Sequence, residues 1–287
     1  MSHIDIYKLP PPEVVKQYSA EKVRSRMLAR YAELQGVEIP RAGDPLYNAM
    51  SSMSEEVTRA RQEFQDISLE NMVAFSNGAN LQHLGVARPV EKFEKESDDQ
   101  FRRRIQMAPE GFSTAGPDGA YIFHALNAHE DVLDSEVVSP EELVVNQYIL
   151  SRTGDGTASD ELCQTVYQYV NAAFKRPLSD KYSVLSADIV TYRIEVELDM
   201  PEGPGEAQAI ETARSRLQTL TEETHMLQGM VSLSAISAAA HVQKNDEQGI
   251  RFQPVRDVKL IAPTGNIVCD KSQAPHCTEI VVRRKVV

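Results

Sequence analysis

The feature that most constrains this chain is a repeat of apolar and small residues that begins at Leu46. Leu46, Met50, Met53, Val57, Ala60, Phe64 and Ile67, then Asn71 and Ala74, follow one another at alternating steps of four and three. That is an a/d seam held over about four heptads. The opposite face is polar, with Ser54, Glu55, Glu56, Arg59, Arg61, Gln62, Glu63, Gln65 and Asp66. A helix lying on a broad globular core carries a wider apolar stripe; a narrow seam suits contact with one or two other helices. Asp44 is placed to cap the helix and Pro45 to fill its first position. Asn77-Gly78 is the expected end, which gives about 34 residues and roughly 50 Å. Asn71 reads as a polar interruption that fixes register at a cost in stability. Met50, Met53, Ala60 and Asn71 are weaker seam residues than leucine or isoleucine, so the helix is expected to fold together with helices of other chains.

Composition narrows the function. Among 287 residues there are 30 Lys+Arg against 42 Asp+Glu, a formal net charge of −12. A nucleic-acid-binding surface needs a basic footprint, and only Arg102-Arg103-Arg104 and Arg283-Arg284-Lys285 offer short candidates. The bland reading of the first triplet is a solvated or acid-paired surface; phosphate binding is the alternative. No run of about 18 apolar residues occurs, so membrane insertion is not expected. The opening MSHIDIYKLPPPEVV has no charged region followed by an apolar core, so no secretory signal is expected. Cys163, Cys269 and Cys277 are too few for a disulfide framework, which fits synthesis in a reducing cytoplasm.

Around the seam the chain reads in order. Ser19 opens a helix that Gly36 closes in the left-handed conformation. A short helical turn spans residues 79–86. Ser97 with Gln100 forms a capping box. From Ser113 the pattern changes to helix 117–128, strands 132–138 and 143–150, a helix from Ser159 to about Phe174, then a short strand and a long alternating one (Ile189, Tyr192, Ile194, Val196, Leu198) within 182–200. Helices 206–224 and 232–242 and strands 255–262 and 277–287 follow. Helix then two strands thus occurs twice. The expected fold class is α+β: a helical N-terminal third with a long bundle-forming helix, then two small α+β modules. The expected domains are 1–112, 113–180 and 181–287.

Nothing in the sequence indicates catalysis. The seven histidines are scattered; His124 and His129 lie five apart, the wrong spacing for a helical metal pair, and no HExxH, GxSxG or Walker motif is present. Cys269, His276 and Cys277 match no common zinc spacing. Asp134, Glu136, Glu195 and Glu197 alternate on strands, as on a solvated strand face. No catalytic residue, cofactor or metal is therefore expected.

Several stretches together resemble the baseplate J-like proteins of contractile phage tails. They are Asp44-Pro45-Leu46-Tyr47, then Gly78-Ala79-Asn80-Leu81 with Leu84-Gly85-Val86, then Glu96 to Ile105. Ser113 to Ala125, Tyr148 to Thr157, and Arg176-Pro177-Leu178-Ser179-Asp180 complete the set. Each is weak alone, but they stand in order over residues 19–287. The family also occurs in tail-derived bacteriocins (tailocins) and related contractile injection systems. The resemblance implies a structural wedge protein in which two copies join one different wedge protein through a three-helix bundle. It implies six wedges around the central spike and tube, inner-ring contacts through the α+β modules, contacts with sheath-side and spike proteins, and a part in triggering sheath contraction. It places the protein in a virion or tailocin baseplate assembled in the bacterial cytoplasm, without enzymatic activity. Leu46, Met50, Met53, Val57, Ala60, Phe64, Ile67 and Asn71 are the candidate partner-helix residues. The competing reading is a soluble ligand-binding protein or enzyme with a helical oligomerisation arm, which predicts a ligand-sized pocket within 113–287.

Overall fold

The computed structural model describes residues 6–113, 117–172, 175–201, 203, 205–242, 244–245, 251–252 and 255–285. The chain is α+β and divides into two compact units, residues 1–108 and 109–287.

The first unit is helical. Helix α1 (Ala20–Gln35) is capped by Ser19, whose side chain accepts from the Lys22 amide, and ends at Gly36 with φ 63°. That is the left-handed position where a side chain would be strained. Helix α2 (Pro45–Leu69) starts at the Asp44 cap. It ends eight residues before the expected Asn77. After it come α3 (Gly78–Val86) and α4 (Asp98–Met107), the latter opened by the Ser97–Gln100 capping box.

Helix α4 explains the early end of α2. Its Arg102 is almost fully buried; Nε donates to the Val73 carbonyl at 2.8 Å and Nη2 to the Ser76 carbonyl at 2.7 Å. Continued to Asn77, the helix would give the Val73 carbonyl to the Asn77 amide; in the turn the guanidinium takes both carbonyls instead. Arg104 is buried against Glu96, with Nε to Oε1 at 2.7 Å and Nη2 to Oε2 at 2.6 Å, and lies over the Phe93 ring. Arg102, paired with Asp99, and Arg104, paired with Glu96, are therefore acid-paired but lie inside the fold instead of on a surface. Gly85 closes the same corner, because a Cβ there would meet Phe101 at 2.5 Å and the Val90 carbonyl at 2.7 Å.

The second unit opens with α5 (Asp118–Leu126), β1 (Val132–Val138), β2 (Val144–Ser151), α6 (Asp160–Val170) and β3 (Lys181–Ser186). Its first sheet has the order β1-β2-β3, antiparallel then parallel. Helix α6 stops at Val170, and the expected end at Phe174 lies outside the described residues. The elements after β3 are β4 (Asp188–Asp199), α7 (Glu206–Thr224), β5 (Met230–Val231), α8 (Leu233–Ala240), β6 (Lys244–Asn245), β7 (Arg251–Phe252), β8 (Asp257–Ala262), β9 (Ile267–Val268) and β10 (Gln273–Arg284). The second large sheet has the order β10-β4-β8, parallel then antiparallel.

The expected echo of helix then two strands is found as α5-β1-β2 but not later, where the short strands β5, β6, β7 and β9 intervene, and the pairing differs too. β1 and β2 pair with each other, whereas β8 and β10 flank β4 on opposite edges. The last strand also starts at Gln273, four residues before the expected Cys277, and Val286 and Val287 lie outside the described residues. Alternation on β4 points Tyr192, Ile194, Val196 and Leu198 into a core with Ala209, Ala213 and Leu217 of α7 and Ile236 and Ala240 of α8. The chain passes from one sheet to the other through Ala187 alone, whose amide donates to the Ile149 carbonyl at 2.9 Å.

Candidate interaction surface

Helix α2 buries the side of itself that its hydrophobic pattern would leave out. Ser54 is 1% exposed and Gln65 8%, whereas Met53, Phe64 and Ile67 are 52%, 60% and 61% exposed. Tyr47, Ser51, Thr58 and Arg61 are half-buried on the same side as Ser54 and Gln65. This polar stripe packs against α1, which contributes Val23, Leu28 and Ala32.

A polar stripe can be buried here because it satisfies itself. Ser51 Oγ donates to the Tyr47 carbonyl at 2.8 Å, Ser54 Oγ to the Ser51 carbonyl at 2.7 Å, and Thr58 Oγ1 to the Ser54 carbonyl at 2.8 Å. Hydroxyls bonded back to their own helix present carbon and hydrogen to a neighbour and let it approach closely. The Arg24 guanidinium stacks 4.8 Å from the Tyr47 ring centroid and Arg61 5.3 Å from that of Tyr18. Gln65 fastens the preceding strap. Its Oε1 accepts the Val14 and Val15 amides, both at 2.9 Å, and its Nε2 donates to the Pro12 carbonyl at 2.7 Å.

The sequence-derived seam therefore lies on one side of α2, beside the α1 contact. Leu46, Met50 and Val57 are half-buried; Met53, Ala60, Phe64 and Ile67 are exposed. Asn71 does not belong to the helix. It sits in the turn after Leu69, where its Nδ2 donates to the Ile67 carbonyl at 3.1 Å. Helix α1 takes the polar stripe of α2 and not the seam. The signal for this was present in Tyr47, Ser51, Ser54, Thr58, Arg61, Gln65 and Ser68, a second stripe at the same four-three spacing that polarity disguises.

In the second unit, among the described residues, no group of three or more His, Cys, Asp or Glu could hold a metal. Cys163, Cys269 and Cys277 are free thiols, each with its pKa raised first by burial. Asp134 corrects the solvated-strand reading, because its buried carboxylate accepts the Leu227 amide at 3.0 Å and pins the loop after α7 to β1. Gln147 is fully buried; Nε2 donates to the Tyr121 carbonyl and to Ser135 Oγ, both at 2.8 Å, while the Tyr182 hydroxyl donates to Oε1. Tyr121 donates to Asp180 Oδ2 at 2.5 Å, and burial followed by that carboxylate raises its pKa. Gln147, Ser135, Tyr121, Tyr182 and Asp180 are thus consumed in joining α5 to the sheet. Among the described residues of this unit, open grooves include one of about 670 Å³ beside Arg216, His241 and Asp257 and one of about 430 Å³ beside Arg152, His225 and His276. His225 already spends Nδ1 on the Pro275 carbonyl at 2.7 Å. On the outer face of the second sheet, Glu195 and Glu197 are both bridged by Arg283, at 2.9 and 3.2 Å.

Comparison with known proteins bears on both units. Residues 113–186 match the Baseplate J-like central domain. Over 302 aligned positions the chain is 31% identical to "Baseplate protein J" of Escherichia phage P2, covering 97% of each protein. A chain in the cryo-EM structure of the anti-feeding prophage baseplate, 6-fold symmetrised, aligns with a TM-score of 0.41 and 11% identity over 66% of this chain and 43% of that one. This chain thus spans under half of that protein, a likeness too slight to argue from.

Proposed function

We propose that this chain, a member of the baseplate J-like family and so a baseplate component of a phage-type tail, serves as a wedge subunit of a contractile-tail baseplate. It works by assembly and not by catalysis. Two copies join one copy of a different wedge protein in a heterotrimer, and the α2 seam forms the shared helix bundle. The α+β modules 113–180 and 181–287 meet neighbouring wedges in a six-fold inner ring around the spike and tube. Rearrangement of the wedges then takes part in triggering sheath contraction. Assembly occurs in the bacterial cytoplasm, and the finished site is the virion or tailocin baseplate.

One observation carries this reading: α2 spends its polar stripe on α1 and leaves Met53, Phe64 and Ile67 in water. A contiguous exposed apolar stripe on a structured helix marks an interaction site. Covering each large seam residue contributes on the order of 1.5–3 kcal/mol at full burial. Val57→Asp and Phe64→Asp are expected to leave a folded chain that no longer enters baseplates, as counted by electron microscopy of assembled tails. Normal baseplates from both variants would refute the seam assignment.

A further inference from the structure

We infer that the helix docking beside the seam belongs to a different chain and carries Lys or Arg at successive heptads, facing an acidic flank of α2. This rests on the seam reading above and adds the chemistry of the partner. Around α2, the stripe against α1 lies on one side of the seam. On the other side Glu56, Glu63 and Glu70 recur every seven residues, all exposed, with Asp66 beside them. In a helix bundle such a line lies next to the flanking positions of the adjoining helix, where opposite charges select partner and orientation.

The flank is acidic on balance. Arg59 lies 3.4 Å from Glu56 in a solvent-exposed pair, and the Glu70 carboxylate accepts from Asn80 Nδ2. Among the described residues the Glu63 carboxylate makes no ion pair or hydrogen bond. A second copy suits this flank poorly. Packed antiparallel, it would set Glu56, Glu63 and Glu70 against themselves, and like charges repel. Packed parallel, it would offer Tyr47, Ser54, Arg61 and Ser68, the stripe that α1 covers, with Arg61 already stacked on Tyr18. The helix that lies along the acidic flank is therefore one of a different chain.

The test uses the full chain and two synthetic peptides of about four heptads with leucine at every seam position. One has lysine along both flanks, the other glutamate, so each repels itself and stays free to bind. Fluorescence anisotropy at low salt is expected to show the lysine peptide binding on the order of tenfold tighter, an advantage that shrinks in high salt. Glu56→Lys with Glu63→Lys should reverse the preference. Equal binding of both peptides, or a preference the double variant leaves unchanged, overturns the inference. So does self-association of the chain alone that the double variant abolishes. Phe64→Asp separates the two readings. If it abolishes peptide binding while preference is absent, the seam stands and only the flank rule falls; if peptide binding ignores it, or neither peptide binds, both fall.

Discussion

Phe64 and Gln65 are adjacent on α2, and the structure assigns them opposite consequences. Phe64 is 60% exposed, so the isolated chain loses only the smaller part of a phenylalanine's burial when it is truncated. Full burial of such a side chain stabilises by roughly 1.5–3 kcal/mol, and alanine is the better helix former by several tenths of a kcal/mol. Phe64→Ala should therefore cost the isolated chain less than about 1 kcal/mol. The exposed remainder is what a partner covers, worth about 1–2 kcal/mol, or roughly 5–30-fold in affinity. Gln65 is 8% exposed and makes three hydrogen bonds to residues 12–15 at 2.7–2.9 Å. At a net 0.5–1.5 kcal/mol each, reduced because water reaches the released strap, Gln65→Ala should cost about 1–3 kcal/mol. Urea unfolding of the isolated chain followed by circular dichroism reads the first quantity; titration of co-expressed partner binding reads the second. The reasoning fails if Phe64→Ala destabilises the isolated chain more than Gln65→Ala, because the hydrophobic face would then serve this fold and not an assembly.

Three further outcomes follow from the interior. Glu96→Gln leaves the Arg104 guanidinium buried without its counter-charge, and urea unfolding should show a loss of about 3–5 kcal/mol. Gly85→Ala drives a methyl into Phe101 and the Val90 carbonyl and should cost about 1–3 kcal/mol in the same assay. His124 is buried in α5, and burial, then the nearby Lys175 charge, lowers its pKa from 6.5 to about 4. The unfolded chain takes up that proton first, so stability should fall as pH drops from about 6.5 to about 4, by on the order of 3 kcal/mol. His124→Phe should flatten that part of the stability profile measured by thermal unfolding in buffers of graded pH.

Elements with a local cause were legible in the chain. Ser19, Asp44, Ser97, Ser159 and Ser232 all cap the helices expected to start there, because an N-cap needs only its own hydroxyl or carboxylate and the next turn. The inward alternation on β4 was equally plain, since period two alone assigns the faces. Long-range causes were not. The end of α2 depends on Arg102, about 30 positions later, reaching the Val73 and Ser76 carbonyls. The burial of Asp134 depends on the Leu227 amide in another sheet's connection. Pairing of β8 and β10 on either side of β4, and not with each other, has no local signature at all. The seam was found from spacing. Its companion stripe was missed because serine, threonine and glutamine score as solvent-facing until their hydroxyls and amide are seen bonded to backbone.

The central claim is that the apolar side of α2 meets other chains. Native mass measurement of this chain co-expressed with the proteins of its neighbouring genes tests it most directly. The account predicts a complex of two copies with one different subunit, lost in Val57→Asp. A chain that stays monomeric beside those proteins, or a complex of unchanged mass in that variant, would contradict it.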